Sequence, residues 1–69
     1  MTFQIDEFRK GKKMAFLEVD KLGVYRTAKG FLVDECTLRV EKDYSSPNEK
    51  DARNTFNRYK REIEREVFV

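Results

Sequence analysis

Apolar residues come in short alternating runs up to about residue 42 and then recur at helical spacing. Phe3 and Ile5 alternate with Gln4 and Asp6, the period of two expected of a half-buried strand. Arg9, Lys10, Gly11, Lys12 and Lys13 read as a turn in which Gly11 is available for positive φ. The run 14–20 is apolar on both parities, with Met14 and Phe16 on one face and Ala15, Leu17 and Val19 on the other. That pattern predicts a central strand covered on both sides. Asp20, Lys21, Leu22 and Gly23 form a turn signal into a third strand over 24–27. Ala28, Lys29 and Gly30 have the spacing of a three-residue hairpin loop with Gly30 in the left-handed position. A last strand over 31–41 places Leu32, Cys36, Leu38 and Val40 on one face, with Asp34 as the exception. Its other face carries Phe31 and Val33, then the polar Glu35, Thr37, Arg39 and Glu41.

The period changes after Ser45. Ser46, Pro47, Asn48 and Glu49 fit a capping box with Ser46 as N-cap and Pro47 at the first helical position. Glu49 and Asp51 sit in the first turn, where the helix dipole favours negative charge. Ala52, Phe56, Tyr59, Ile63 and Val67 then form an apolar stripe about 80° wide. These residues predict a helix over about 47–67, with Phe68 and Val69 as a hydrophobic tail. The fold class is therefore α+β. A single small domain, 1–69, holds an antiparallel four-stranded meander over about 2–42, followed by one C-terminal amphipathic helix packed on one sheet face (ββββα). The helix is expected to cover Leu17, Val19, Leu38 and Val40.

Composition narrows the chemistry. The chain has 69 residues, so a second domain has no room. Fifteen Lys and Arg against thirteen Asp and Glu leave a net charge of +2, too balanced for a polyanionic DNA mimic or a polybasic condenser. No apolar run approaches the ~20 residues of a membrane span, and the first residues lack the pattern of a secretion signal. With one Cys and no His, neither an intramolecular disulfide nor a structural zinc site is expected. A lone Cys suits a reducing, cytoplasmic setting.

The same counts argue against an enzyme. Without His there is no Ser–His or Cys–His pair, and Cys36 in its expected strand reads as inert core. Gly11, Gly23 and Gly30 are isolated, so no phosphate-cradling loop is present. The pairs Asp6-Glu7 and Asp34-Glu35 would point to opposite faces of a strand and cannot converge on one ion. Asp34, among apolar neighbours, would have a raised pKa if buried; an edge or bulge turning it to water is the preferred reading. No catalytic residue, cofactor, metal or small-molecule substrate is expected.

Three features point to recognition. Arg9, Lys10, Lys12 and Lys13 place four cations in one turn, suited to an anionic surface or to plain solvation. Asn54, Arg58, Arg61 and Arg65 share a sector about 60° wide, nearly opposite the apolar stripe. Glu62, Glu64 and Glu66 flank that sector and dilute its field, and Arg58–Glu62 and Lys60–Glu64 are spaced for ordinary i,i+4 pairs. Met14, Phe16, Tyr25, Phe31 and Val33 are left over once one sheet face is covered, and either face a partner or wrap into a coiled sheet's core. The leading reading is a small non-catalytic protein-binding module, either a homodimer or an accessory or inhibitory factor acting on a larger protein. The alternative is a nucleic-acid-binding module using Arg9, Lys10, Lys12 and Lys13 with Arg58, Arg61 and Arg65. In that version the exposed aromatics stack bases. No membrane contact is expected. A ribonucleoprotein-type aromatic consensus and a GXXG clamp are absent from the sequence.

Overall fold

Strands β1 (Thr2–Lys10), β2 (Lys13–Asp20), β3 (Tyr25–Leu32) and β4 (Leu38–Ser46) pair antiparallel in chain order, and helix α1 (Glu49–Glu66) follows. The computed structural model describes residues 2–66. Val67, assigned to the apolar stripe, and the tail of Phe68 and Val69 lie outside the described residues.

The meander and its helix are as the residue pattern predicts, but the third connection moves. Ala28, Lys29 and Gly30 are not a loop; they lie inside β3, and the chain turns instead over 33–37. The physical reason is a close approach of two backbones. Strands β3 and β4 shift register between Lys29 and Gly30, where Lys29 faces Lys42 and Gly30 faces Val40, leaving Glu41 as a bulge. A Cβ on Gly30 would collide with the Arg39 carbonyl oxygen and stand 2.9 Å from its carbon. Gly30 is therefore required for contact rather than for a left-handed φ. Positive φ occurs at Gly11 (61°) and Gly23 (85°). Gly11 opens the two-residue β1–β2 hairpin at the first central position, as a II′ turn demands. Asp20 closes the β2–β3 turn by accepting the Leu22 and Val24 N–H groups through Oδ1, at 2.8 and 3.0 Å.

The helix starts two residues later than its sequence signature suggests, so Ser46 is not the N-cap and Pro47 is not its first residue. Asn48 is the N-cap: its Oδ1 accepts the N–H groups of Lys50 (2.9 Å) and Asp51 (3.4 Å). Ser46 Oγ instead accepts the Asn48 N–H at 3.1 Å and fixes the entry of the chain. Pro47 separates the two caps and precedes the first helical turn.

Alternation on β2 and β3 turns Ala15, Leu17, Thr27 and Lys29 toward α1. Against them the helix lays Ala52, Phe56, Tyr59 and Ile63, and this buried cluster is completed by the half-buried Phe8 and Tyr25. The helix lies chiefly across β2 and β3 and reaches β4 and β1 less. Loss of a fully buried aromatic such as Phe56 costs about 3–5 kcal/mol, a large share of what so small a core supplies. Thr27 brings a hydroxyl under the helix and satisfies it by donating to the Phe16 carbonyl at 2.8 Å.

Candidate functional site

Two surfaces carry the features singled out in the sequence: the sheet face that α1 leaves open, and the outward side of α1 itself. The two are on opposite sides of the molecule.

The open face is built from alternate residues of all four strands. Register pairs Glu7 with Phe16, Arg9 with Met14, and Gln4 with Glu18. On β3 and β4, Gly30 faces Val40, Leu32 faces Leu38, and Ala28 faces Asp43. Met14 and Phe16 thus lie where the residue pattern places them, away from the helix. Leu38 and Val40 do not. They belong to this open face rather than to the helix side, because the Glu41 bulge and the longer β3 reverse the parity assumed for them. Tyr25 is also corrected: it shares the parity of Thr27 and Lys29 and packs on the core. Phe31 has that same helix-side parity, at the end of β3, and is 39% exposed. Val33 sits in the 33–37 loop and is 58% exposed.

Where the open face meets that loop, a shallow groove of about 300 Å³ is lined by Met14, Phe16, Leu32 and Leu38, with Arg9, Glu18 and Glu35 among its polar rim. Arg26 covers part of the apolar floor, its guanidinium 5.5 Å from the Phe16 ring centre. The same fork holds Asp43 through Nη2–Oδ2 at 2.8 Å and Nε–Oδ1 at 3.1 Å, and touches Glu18 at 3.4 Å. Its hydrogen bonds hold the Asp43 carboxyl below the usual carboxylate range despite partial burial. Arg26 is thereby held beside Phe16 instead of moving freely in water.

Cys36 is exposed in the 33–37 loop, not in the core as its strand assignment implied. Asp34 is exposed there too. It accepts the Cys36 N–H at 2.8 Å, and that bond, with help from Thr37, holds its carboxyl below the ordinary value. The local Asx turn explains why an acid interrupts an apolar run. Among the described residues no cluster of three or more His, Cys, Asp or Glu could hold a metal ion. Nor, among the described residues, is any helix long and apolar enough to cross a membrane.

The basic turn is dispersed by the hairpin. Arg9 points to the open face, its Nη2 4.0 Å from the Met14 sulfur. Lys13 points to the helix side and pairs with Glu41 at 2.6 Å and Glu66 at 3.1 Å. Lys10 lies beside it, and Lys12 is exposed at the tip. The four cations do not form one patch.

On α1, Asn54, Arg58, Arg61 and Arg65 are all exposed along the outward side, as the helical spacing predicts. The acids assigned to their flank behave differently. Glu62 turns toward the sheet and receives Lys29 at 2.9 Å and Lys42 at 3.0 Å. Glu66 receives Lys29 at 2.7 Å and Lys13 at 3.1 Å. Lys29 has a side chain only 2% exposed. Burial lowers its pKa, but the hydrogen bonds and charges of Glu66 and Glu62 outweigh that and leave it raised. Lys29 and Lys42 together pull the Glu62 carboxyl down to about 2. Arg58 keeps a contact with Glu62 only at 4.0 Å. Among the described residues no ion pair joins Lys60 to Glu64; Lys60 Nζ lies 5.2 Å from the Phe56 ring centre instead.

The residue pattern does not predict this sheet-to-helix network, because the spacing of Ala28, Lys29 and Gly30 is that of a hairpin loop. A legible signal existed in Glu62 and Glu66, one turn apart on the edge of the apolar stripe and not opposite it. Comparison with protein-family models, with curated proteins and with solved structures finds no match to this chain.

Proposed function

We propose that this chain is a small non-catalytic protein-binding module that docks its partner on the helix-free face of the sheet. One observation carries the reading: Met14, Phe16, Leu32, Leu38 and Val40 converge on a single face that no element among the described residues covers, and Val40 is 44% exposed. Soluble proteins seldom leave a contiguous apolar patch without a use for it. An Arg beside an aromatic ring at the edge of such a patch has the composition of an interface hot spot. The patch is edged by both signs of charge, with Arg26 beside Asp43 and Glu18, so a second copy of the chain is a chemically matched partner. A larger protein regulated by this module is the other form of the same reading. The exposed, lone thiol of Cys36 suits a cytoplasmic setting.

Sedimentation equilibrium of the wild type and of Leu38→Glu and Val40→Glu tests this directly. A concentration-dependent dimer abolished by either substitution supports it. Substitutions that leave oligomeric state, partner capture and solubility all unchanged would remove its basis.

A further inference from the structure

We propose that the outward side of α1 is a second, separate surface that binds the phosphate backbone of duplex nucleic acid.

Read as a sequence, the helix alternates basic and acidic residues after Asn57, and its arginines are diluted by neighbouring glutamates. In the fold, Lys13, Lys29 and Lys42 rise from the sheet and draw Glu62 and Glu66 inward, at 2.7–3.1 Å. Those carboxylates are neutralised by lysines on the sheet-facing flank of the helix. Among the described residues Arg61 and Arg65 have no ion-pair partner, and Arg58 has only the 4.0 Å contact with a Glu62 already shared by two lysines. Arg58, Arg61 and Arg65 are thus kept as a cationic row on one side, with the exposed Asp51 and Glu64 at its margins. The helix has 18 residues, about 27 Å in length, and its core stripe holds it rigidly on the sheet. Arg61 and Arg65 stand one turn apart, about 6 Å along the axis.

The ridge also continues beyond the helix. The Lys13–Glu66 pair fixes the last turn of α1 against the β1–β2 hairpin, so Lys10 and Lys12 lie at the same end of the molecule as Arg65. Three to five phosphate contacts are within the means of these side chains.

The same geometry decides how nucleic acid would be held. Among the described residues no aromatic side chain belongs to the outward sector of α1. Phe16 lies across the sheet on the opposite side and is covered by Arg26, and Tyr59 is buried. Within that sector the arginines have phosphate chemistry to offer and no ring on which a base could stack, which favours backbone contact over stacking. A rigid row of guanidinium forks instead fits a duplex, whose backbone carries one charge per about 1.7 Å. Binding is independent of base sequence, because contacts to phosphate carry none of it.

The test is fluorescence anisotropy of a labelled DNA duplex and of its single strand, at about 50 and about 200 mM salt. Neutralising three to five phosphates gives a log–log slope of about −2.7 to −4.5, a loss of roughly 40- to 500-fold across that range. Arg61→Glu and Arg65→Glu are each expected to weaken duplex binding about tenfold and to reduce the slope by about 1. Lys21→Glu changes net charge by the same amount at the far end of the sheet and is expected to leave affinity within about twofold. Circular dichroism melts check that these exposed substitutions leave the fold intact. The proposal is overturned by the absence of duplex binding at the lower salt, or by equal losses for Lys21→Glu and Arg61→Glu. Tighter single-strand binding that Phe16→Ala abolishes also overturns it, as does preferential binding to phosphatidylserine vesicles. None of these outcomes depends on the open sheet face having a protein partner.

Discussion

Lys29 on β3 donates to Glu66 on α1 at 2.7 Å, across 37 residues of chain, with its ammonium almost wholly removed from water. The pair is one edge of a network in which Lys29 bridges Glu62 and Glu66, while Lys42 and Lys13 hold the outer side of each carboxylate. Each glutamate therefore has two lysines. Lys29 has two carboxylates and no access to water as a substitute.

That asymmetry predicts unequal mutational costs. Lys29→Met leaves Glu62 with Lys42 and Glu66 with Lys13, and fills the same volume with an apolar chain. Stability is expected to change by no more than about 1 kcal/mol in either direction. The double variant Glu62→Gln, Glu66→Gln leaves the Lys29 charge buried without a counter-charge and is expected to cost about 3–5 kcal/mol. Urea denaturation of both variants measures the difference. A reversed order would show that the network does not govern the packing of α1 on the sheet.

The same groups set the response to acid. Glu62 falls from 4.5 to about 2 in the folded state, and Glu66 is also lowered, in both cases first through the Lys29 hydrogen bond. A depressed carboxylate contributes its full stability above its unfolded pKa and loses it as pH falls through its folded value. Stability is therefore expected to hold near neutrality and to decline between about pH 4.5 and about pH 2. The Glu62 part is about 3 kcal/mol at most by linkage, and less in practice because the side chain is 24% exposed. Lys29 and Lys13 are raised above 10.5, so their contribution is intact below that value and fades as pH rises through their folded pKa. Thermal melts from pH 7 down to pH 2 should show the acid decline in the wild type and a flatter profile in Glu62→Gln.

Glycine positions divide by mechanism. At Gly30 the obstacle to a side chain is the Arg39 backbone, which cannot swing aside, so Gly30→Ala must push β3 and β4 apart at the bulge. A loss of about 1–3 kcal/mol is expected, as for other overpacked sites. Gly23 faces open space within 4 Å but holds φ at +85°. Gly23→Ala should cost about 1–2 kcal/mol, from backbone strain alone. Gly23→Asn should recover part of that, because Asn tolerates the left-handed region, whereas no side chain rescues Gly30.

The architecture was legible because its signals are local. Period-two runs, a glycine in each of the first two turns, and the stripe from Ala52 to Ile63 each announce an element without reference to the rest of the chain. The third connection was not, because Gly30 has two physical uses. A left-handed turn and a close backbone approach both require glycine, and only the pairing partner Val40 tells them apart. From that one position the other displacements follow. Lys29 leaves the surface for the core side, Cys36 and Asp34 leave a strand for a loop, and Leu38 and Val40 change faces. The N-cap is ambiguous for a similar reason, since Ser46 and Asn48 both bear capping side chains and both accept backbone N–H groups.

Tyr25 and Phe31 give the sharpest separation of structural from recognition roles. The residue pattern grouped them with Phe16 as one exposed surface. In the fold both have helix-side parity, yet only Tyr25 packs on the buried cluster beneath α1. Tyr25→Ala is therefore expected to lower stability by about 2 kcal/mol or more, by opening a gap beside a core that has few residues to close it. Phe31→Ala, at the exposed end of β3, should cost under about 1 kcal/mol. Val40→Thr on the open face should also leave monomer stability nearly unchanged, since Val40 makes no contact with the helix-side core. Denaturant midpoints order the three variants, and association measurements on the same samples separate the two faces. A stability loss at Val40 equal to that at Tyr25 would mean that the open face is part of the folding core. A loss of association at Val40 without a loss of stability is the signature of a surface built for a partner.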